Sequence, residues 1–273
     1  MRTNCARSRW RPRRLSRIPG APDVKVPALV SFPDGLWRVH KFEYGPLNPP
    51  QRSGTPDLAW SRFDIPGWAV VYGATSRQGA FLEALSYAET SPLELDELFD
   101  DDDAESVSTQ WEDLGHMAPG RIARQWRDVR RITRISPRQP STGVVIDLLD
   151  SATISFLRAT AESWAPGQFR ENPRSIDVSS LTGNDRVFTT QVAWWLSRTT
   201  LPSGELPIGL RYSSRHGQEV GCYALWVDLD RFGPAEDVVD AVATEYEAGR
   251  DTVIDANDRD LRAAASLLDL KVF

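Results

Sequence analysis

Apolar and polar positions along this chain follow two periods. LWRVH, Leu36 to His40, alternates in the manner of a strand, and WAVVYGA, Trp68 to Ala74, is apolar on both faces, which predicts a central strand covered on each side. Ser76 is placed to cap a helix from Arg77 to Glu89, with Ala80, Phe81, Ala84, Leu85 and Ala88 as its buried stripe. A second helix is predicted over Arg121 to Arg134, with Ile122, Trp126, Val129 and Ile132 inward and arginines outward. TGVVIDLLD, Thr142 to Asp150, predicts a buried strand, and Ser151 to Trp164 a helix that stops before Pro166. A polar stretch from Pro166 to Asp185 leads to an amphipathic helix at Thr189 to Arg198. Two strands follow, in IGLRYSS and in CYALWVDL, Cys222 to Leu229. A helix over Ala235 to Ala248, the run DANDRDLRAAASLL and a terminal strand LKVF close the chain. Strands and helices without regular βαβ spacing point to a single α+β domain, a central mixed sheet flanked by helices, over residues 28–273.

Composition narrows the classes. The chain has 273 residues, 41% hydrophobic and 26% charged, as in an ordinary globular protein, and no apolar run approaches a membrane helix. The formal net charge is -6, yet the first 18 residues carry seven arginines and no acid, so the remainder is more acidic still. Residues 1–27 are expected to be a disordered basic arm without the apolar core of a secretory signal. An acidic body disfavours nucleic-acid binding by the folded domain. Residues 94–105 hold eight acids and no base, and without glycine or EF-hand spacing they are expected to form a solvated insertion, not a calcium loop.

The common catalytic motifs are absent from the sequence. No GxGxxG opens a helix after a strand, and there is no Walker A sequence, no HExxH and no GxSxG elbow. Three histidines, His40, His116 and His216, and two cysteines, Cys5 and Cys222, offer neither a zinc site nor a disulfide framework. The remaining set is Arg62 in SRFDIPG, Tyr72 in VVYGA, Glu83 in the following helix and Ser214 in GLRYSSRHG. Each also has a plain structural reading: a surface ion pair for Arg62, a core ring for Tyr72, a turn hydroxyl for Ser213 or Ser214. At 100° per residue, Glu83 lies about 130° from the centre of its helix's stripe, which alone predicts exposure to solvent.

LWRVH, SRFDIPG, VVYGA, the helix with its glutamate, GLRYSSRHG and DLRAAASLLDLKV occur in the order of the RES domain, a bacterial family named for Arg, Glu and Ser. The chain resembles that family from about Leu36 to Phe273. The resemblance implies an ADP-ribosyltransferase-like fold and a cytoplasmic enzyme that consumes NAD, without a separate cofactor or metal. It assigns Glu83 to the ribose that loses nicotinamide, Arg62 to the phosphates with Arg38 and Arg215 as further cations, and Tyr72 and Ser214 to ligand contact. The implied reaction is hydrolysis or phosphorolysis of the nicotinamide glycosidic bond, with inorganic phosphate as a co-substrate in the second case. Transfer of ADP-ribose to a protein and a catalytically inactive interaction protein are the alternatives. Toxins of the family pair with an Xre-like antitoxin, so such a partner is expected. Ser213 stands where the family pattern often has proline, which is why Ser214 is assigned in place of Ser213.

Overall fold

A computed structural model describes residues 25–57, 60–86, 120–138, 143–214, 216–232 and 237–273. Most of the basic arm, the acidic run 94–105 and Arg215 lie outside the described residues.

Eleven strands are described: β1 (Leu29–Ser31), β2 (Leu36–Lys41), β3 (Trp68–Ala74), β4 (Arg121–Ile122), β5 (Arg130–Pro137), β6 (Val144–Asp147), β7 (Gly209–Ser214), β8 (Gly217–Asp228), β9 (Tyr246–Ala248), β10 (Thr252–Val253) and β11 (Lys271–Val272). Nine form one sheet in the order β1-β6-β7-β8-β3-β2-β5-β10, with β9 also on β5, while β4 and β11 pair separately. Within the large sheet β6 and β7 are parallel and the other pairs antiparallel. Eight α-helices lie among the described residues: α1 (Arg77–Leu85), α2 (Arg124–Asp128), α3 (Ser151–Trp164), α4 (Gly167–Glu171), α5 (Val178–Thr182), α6 (Arg186–Ser197), α7 (Val238–Glu245) and α8 (Arg259–Leu267). This is an α+β fold on a mixed sheet.

The sheet is covered on both sides. Trp68, Val70 and Ala74 of β3 belong to the larger core, with Phe81 of α1, Leu157 of α3, Val192 of α6 and Leu261 of α8. Ala69 and Val71, between them on the strand, belong to a second core with Phe32, Tyr223, Val238 and Tyr246. Alternation at period two therefore serves two apolar layers, which is why WAVVYGA carries no polar face. β8 does the same, with Ala224 and Trp226 on one side and Tyr223 and Leu225 on the other. Gly209 begins β7 where a Cβ would meet the carbonyl oxygen of Ala224 at 2.4 Å, so only glycine lets the two strands close there.

Four expectations need correction. Arg121 to Arg134 is not one helix: β4, the short α2 and β5 occupy it, and Val129 is exposed. Ile122 and Trp126 are both buried, but from a strand and a short helix; β-branched Ile132, Thr133 and Ile135 find a six-residue partner in β2, and pairing overrides the helical period. The helix over Ala235 to Ala248 gives way at Tyr246 to strand β9, which pairs with the end of β5. The polar stretch 166–185 holds α4 and α5. Helix α6 begins three residues before Thr189, at Arg186, capped by Asp185.

Candidate active site

Helix α1 starts immediately beyond β3. Ser76 caps it by accepting the Gly79 N–H at 3.0 Å, and Gly79 lies so close to Val220 of β8 that a Cβ would sit 2.6 Å from its Cγ1. The helix packs on β2, β3, β7 and β8, and α8 covers another flank. Arg77 anchors that flank through Asp258 and Asp260 at the start of α8, and stacks on Trp37. With neighbours on two sides, Leu82 is buried beside the sheet-facing stripe, and Glu83 is half-buried instead of exposed.

Glu83 meets β7. Ser214 Oγ donates to Glu83 Oε1 at 2.6 Å, and the Tyr212 hydroxyl approaches Oε2 at 3.5 Å, the long limit of a hydrogen bond. Ser214 Oγ also accepts the backbone N–H of His216 at 3.2 Å, which orients its proton toward the carboxylate. Tyr212 and Ser214 share one face of β7, while Arg211, on the other, pairs with Asp147 at 2.9 Å. Ser214 is buried, and Ser213 is on the opposite face.

The other residues come from the turn before β3. Gly67, at φ 76°, takes the left-handed conformation that brings the chain from SRFDIPG into β3. Arg62 is buried, with Nη1 donating to Thr182 O at 3.1 Å and the guanidinium 5.1 Å from the Tyr212 ring centroid and 5.5 Å from that of Phe63. Tyr72 donates its hydroxyl to Asp64 Oδ1 at 2.9 Å and accepts the Phe63 N–H at 3.0 Å. Its hydroxyl proton is therefore committed to Asp64, and the ring is what it presents to a ligand. Burial, followed by the Asp64 charge, raises the Tyr72 pKa well above the phenolic range. Tyr212 is likewise raised, by burial and then by Glu83, so both rings stay neutral. Arg38 donates from Nη1 to Tyr72 O at 3.0 Å, while its buried Nε has no hydrogen-bond partner among the described residues. Burial lowers the Arg38 pKa to about 10, against the raising effect of Tyr72 and Asp64, and the guanidinium remains cationic at neutral pH.

These side chains line a cleft of about 310 Å³, walled by Arg38, Arg62, Tyr72, Glu83, Arg186 and Tyr212 among others. Glu83, Arg62, Tyr72 and Arg38 reach it directly, and Ser214 acts on it through Glu83; Arg215 is outside the described residues. Among the wall residues not singled out from the sequence are Asp64, Tyr212 and Arg186. Tyr212 was accessible by period two from Ser214, and Asp64 by its place two residues after Arg62. Nothing in the sequence marks Arg186, which enters from the first turn of α6. Three guanidinium groups beside the half-buried Glu83 carboxylate give the cleft the charge that suits an anionic ligand. Among the described residues no group of His, Cys, Asp and Glu is arranged to hold a metal ion. No helix among them is long and apolar enough to cross a membrane. No curated protein matches the chain. A family model, the RES domain, matches residues 35–247.

Proposed function

The chain belongs to the RES domain family, and from that premise we propose that it binds NAD in this cleft and cleaves the glycosidic bond to nicotinamide. The observation that carries the proposal is the 2.6 Å bond from Ser214 to Glu83, made inside a cleft walled by arginines. Departure of nicotinamide leaves an oxocarbenium-like ribose, and a carboxylate fixed beside it stabilises the developing charge. Ser214 holds one carboxylate oxygen, which leaves the other edge of Glu83 for the ribose or for the attacking hydroxyl. Arg62 and Arg38 bind the pyrophosphate, and the Tyr72 ring lies against the nicotinamide. A volume of about 310 Å³ is at the small end for ligand sites, in keeping with a cleft that encloses the reacting half of the dinucleotide. The acceptor is water or inorganic phosphate. Loss of NAD would arrest a cell, and a toxin role under an Xre-like antitoxin in the cytoplasm completes the proposal.

The test is incubation of the purified full-length protein with NAD, with and without phosphate, followed by proton NMR. Free nicotinamide from wild type and none from Glu83→Gln is the expected result, and a ribose-1-phosphate species that requires phosphate identifies phosphorolysis. No release by wild type, or equal release by the variant, overturns the proposal. Nicotinamide release accompanied by ADP-ribose on protein assigns the acceptor to a side chain instead.

A further inference from the structure

Asp64 has no part in the reaction outlined above, yet its carboxylate gathers more hydrogen bonds than Glu83. It is 3% exposed. Oδ1 accepts the Tyr72 hydroxyl at 2.9 Å, and Oδ2 accepts the Ser61 N–H at 2.9 Å and Arg52 Nε at 2.9 Å. The Tyr72 hydroxyl accepts the Phe63 N–H in turn, at 3.0 Å, and the Asp64 N–H closes the turn on Ser61 O at 3.3 Å. Arg62 is thus flanked on each side by a residue whose backbone N–H is tied to the Asp64–Tyr72 unit. A carboxylate this buried is costly unless its charge and lone pairs are matched, and here Arg52 and three hydrogen bonds match them.

We infer that Asp64 is the positioning residue of the cleft, locking the Tyr72 ring and the Arg62 guanidinium into one rigid unit that meets the ligand at fixed spacing. The identity of that ligand rests on the NAD reading; the lock rests on geometry alone. Asparagine cannot replace the carboxylate. If its amide oxygen faces Ser61 and Arg52, its NH2 faces Tyr72 and can only donate, so the hydroxyl, which already accepts the Phe63 N–H, must turn its own proton away and loses the charged acceptor that fixes it.

The test uses the full chain labelled with [13Cζ]tyrosine, the Tyr72 resonance being assigned by Tyr72→Phe. In Asp64→Asn, Tyr72 should ionise at lower pH than in wild type, because the anion opposing tyrosinate is gone. Steady-state cleavage of NAD should show KM raised about tenfold with kcat within about threefold, since the Glu83–Ser214 pair is carried by other elements. Ser214→Ala, which loosens Glu83 but leaves Arg62 and Tyr72 in place, should show the reverse pattern. Unchanged ionisation of Tyr72, or kcat falling as far as kcat/KM, overturns the inference. If wild type cleaves no NAD, the functional proposal fails and the Tyr72 titration still decides the lock. If Asp64→Asn does not fold, Tyr72→Phe takes its place: without the hydroxyl, amide exchange at Phe63 should accelerate at least about tenfold, and unchanged exchange overturns the lock.

Discussion

Glu83 faces two hydroxyls at unequal distance, and substitutions separate them. A hydrogen bond to a charged group contributes about 1.5–3 kcal/mol, so Ser214→Ala should lower kcat for nicotinamide release roughly 10- to 100-fold. Tyr212→Phe forfeits only the 3.5 Å approach and keeps its ring under Arg62, so NMR should find its kcat within about threefold of wild type. Tyr212→Leu removes the cation–π contact as well and should raise KM several-fold, in line with the ~0.5–2 kcal/mol of such contacts. Helical periodicity of α1 alone assigned Glu83 to solvent, because period counts only the stripe against the sheet. What half-buries Glu83 is Tyr212 and Ser214 on β7, some 130 positions away, which leave no trace in the local pattern.

Among elements, those legible in the sequence were the ones whose stability is local or whose two faces are both apolar. β3 coincides with WAVVYGA, and Ser76 and Asp150 cap helices that begin where the pattern places them. β5 was misread because its arginines mimic the solvated face of a helix, whereas several stack on rings: Arg130 on Trp126 and Arg131 on Phe42. The short strands β1, β9 and β10 went unread because two or three residues hold no period. β7 supplies the element-scale prediction. A Cβ at position 209 cannot avoid the Ala224 carbonyl, so Gly209→Ala should lower the urea unfolding free energy by about 1–3 kcal/mol and weaken the presentation of Ser214 on the same strand. Asp258→Ala, which removes the α8 cap and the Arg77 pair together, should cost about 1–3 kcal/mol in the same measurement.

The whole molecule should respond to acid through His40. This residue is buried beneath the arginine side of the cleft, with Nε2 3.0 Å from Thr133 Oγ1 and 3.3 Å from Asp251, and Nδ1 3.1 Å from Lys41 O. Burial lowers its pKa from 6.5, the Lys41 carbonyl and Asp251 acting against the shift and Arg38 with it. Below 6.5 the unfolded chain takes up the proton more readily than the folded one, so the stability present above that pH is lost as pH falls beneath it. The urea midpoint should therefore drop between about pH 7.5 and about pH 5.5, and less steeply in His40→Gln. The topology of the large sheet has a consequence for the timing of synthesis. β3 borders β8, and Glu83 is held by Ser214, so the hydrogen-bonded pair joins segments 131 positions apart. A ribosome must translate most of the message before the two halves of the cleft can meet, and such long-range pairings are slow to form. The growing chain therefore carries an unfinished cleft for most of its time on the ribosome, an interval in which a binding partner could engage it before it can turn over a ligand.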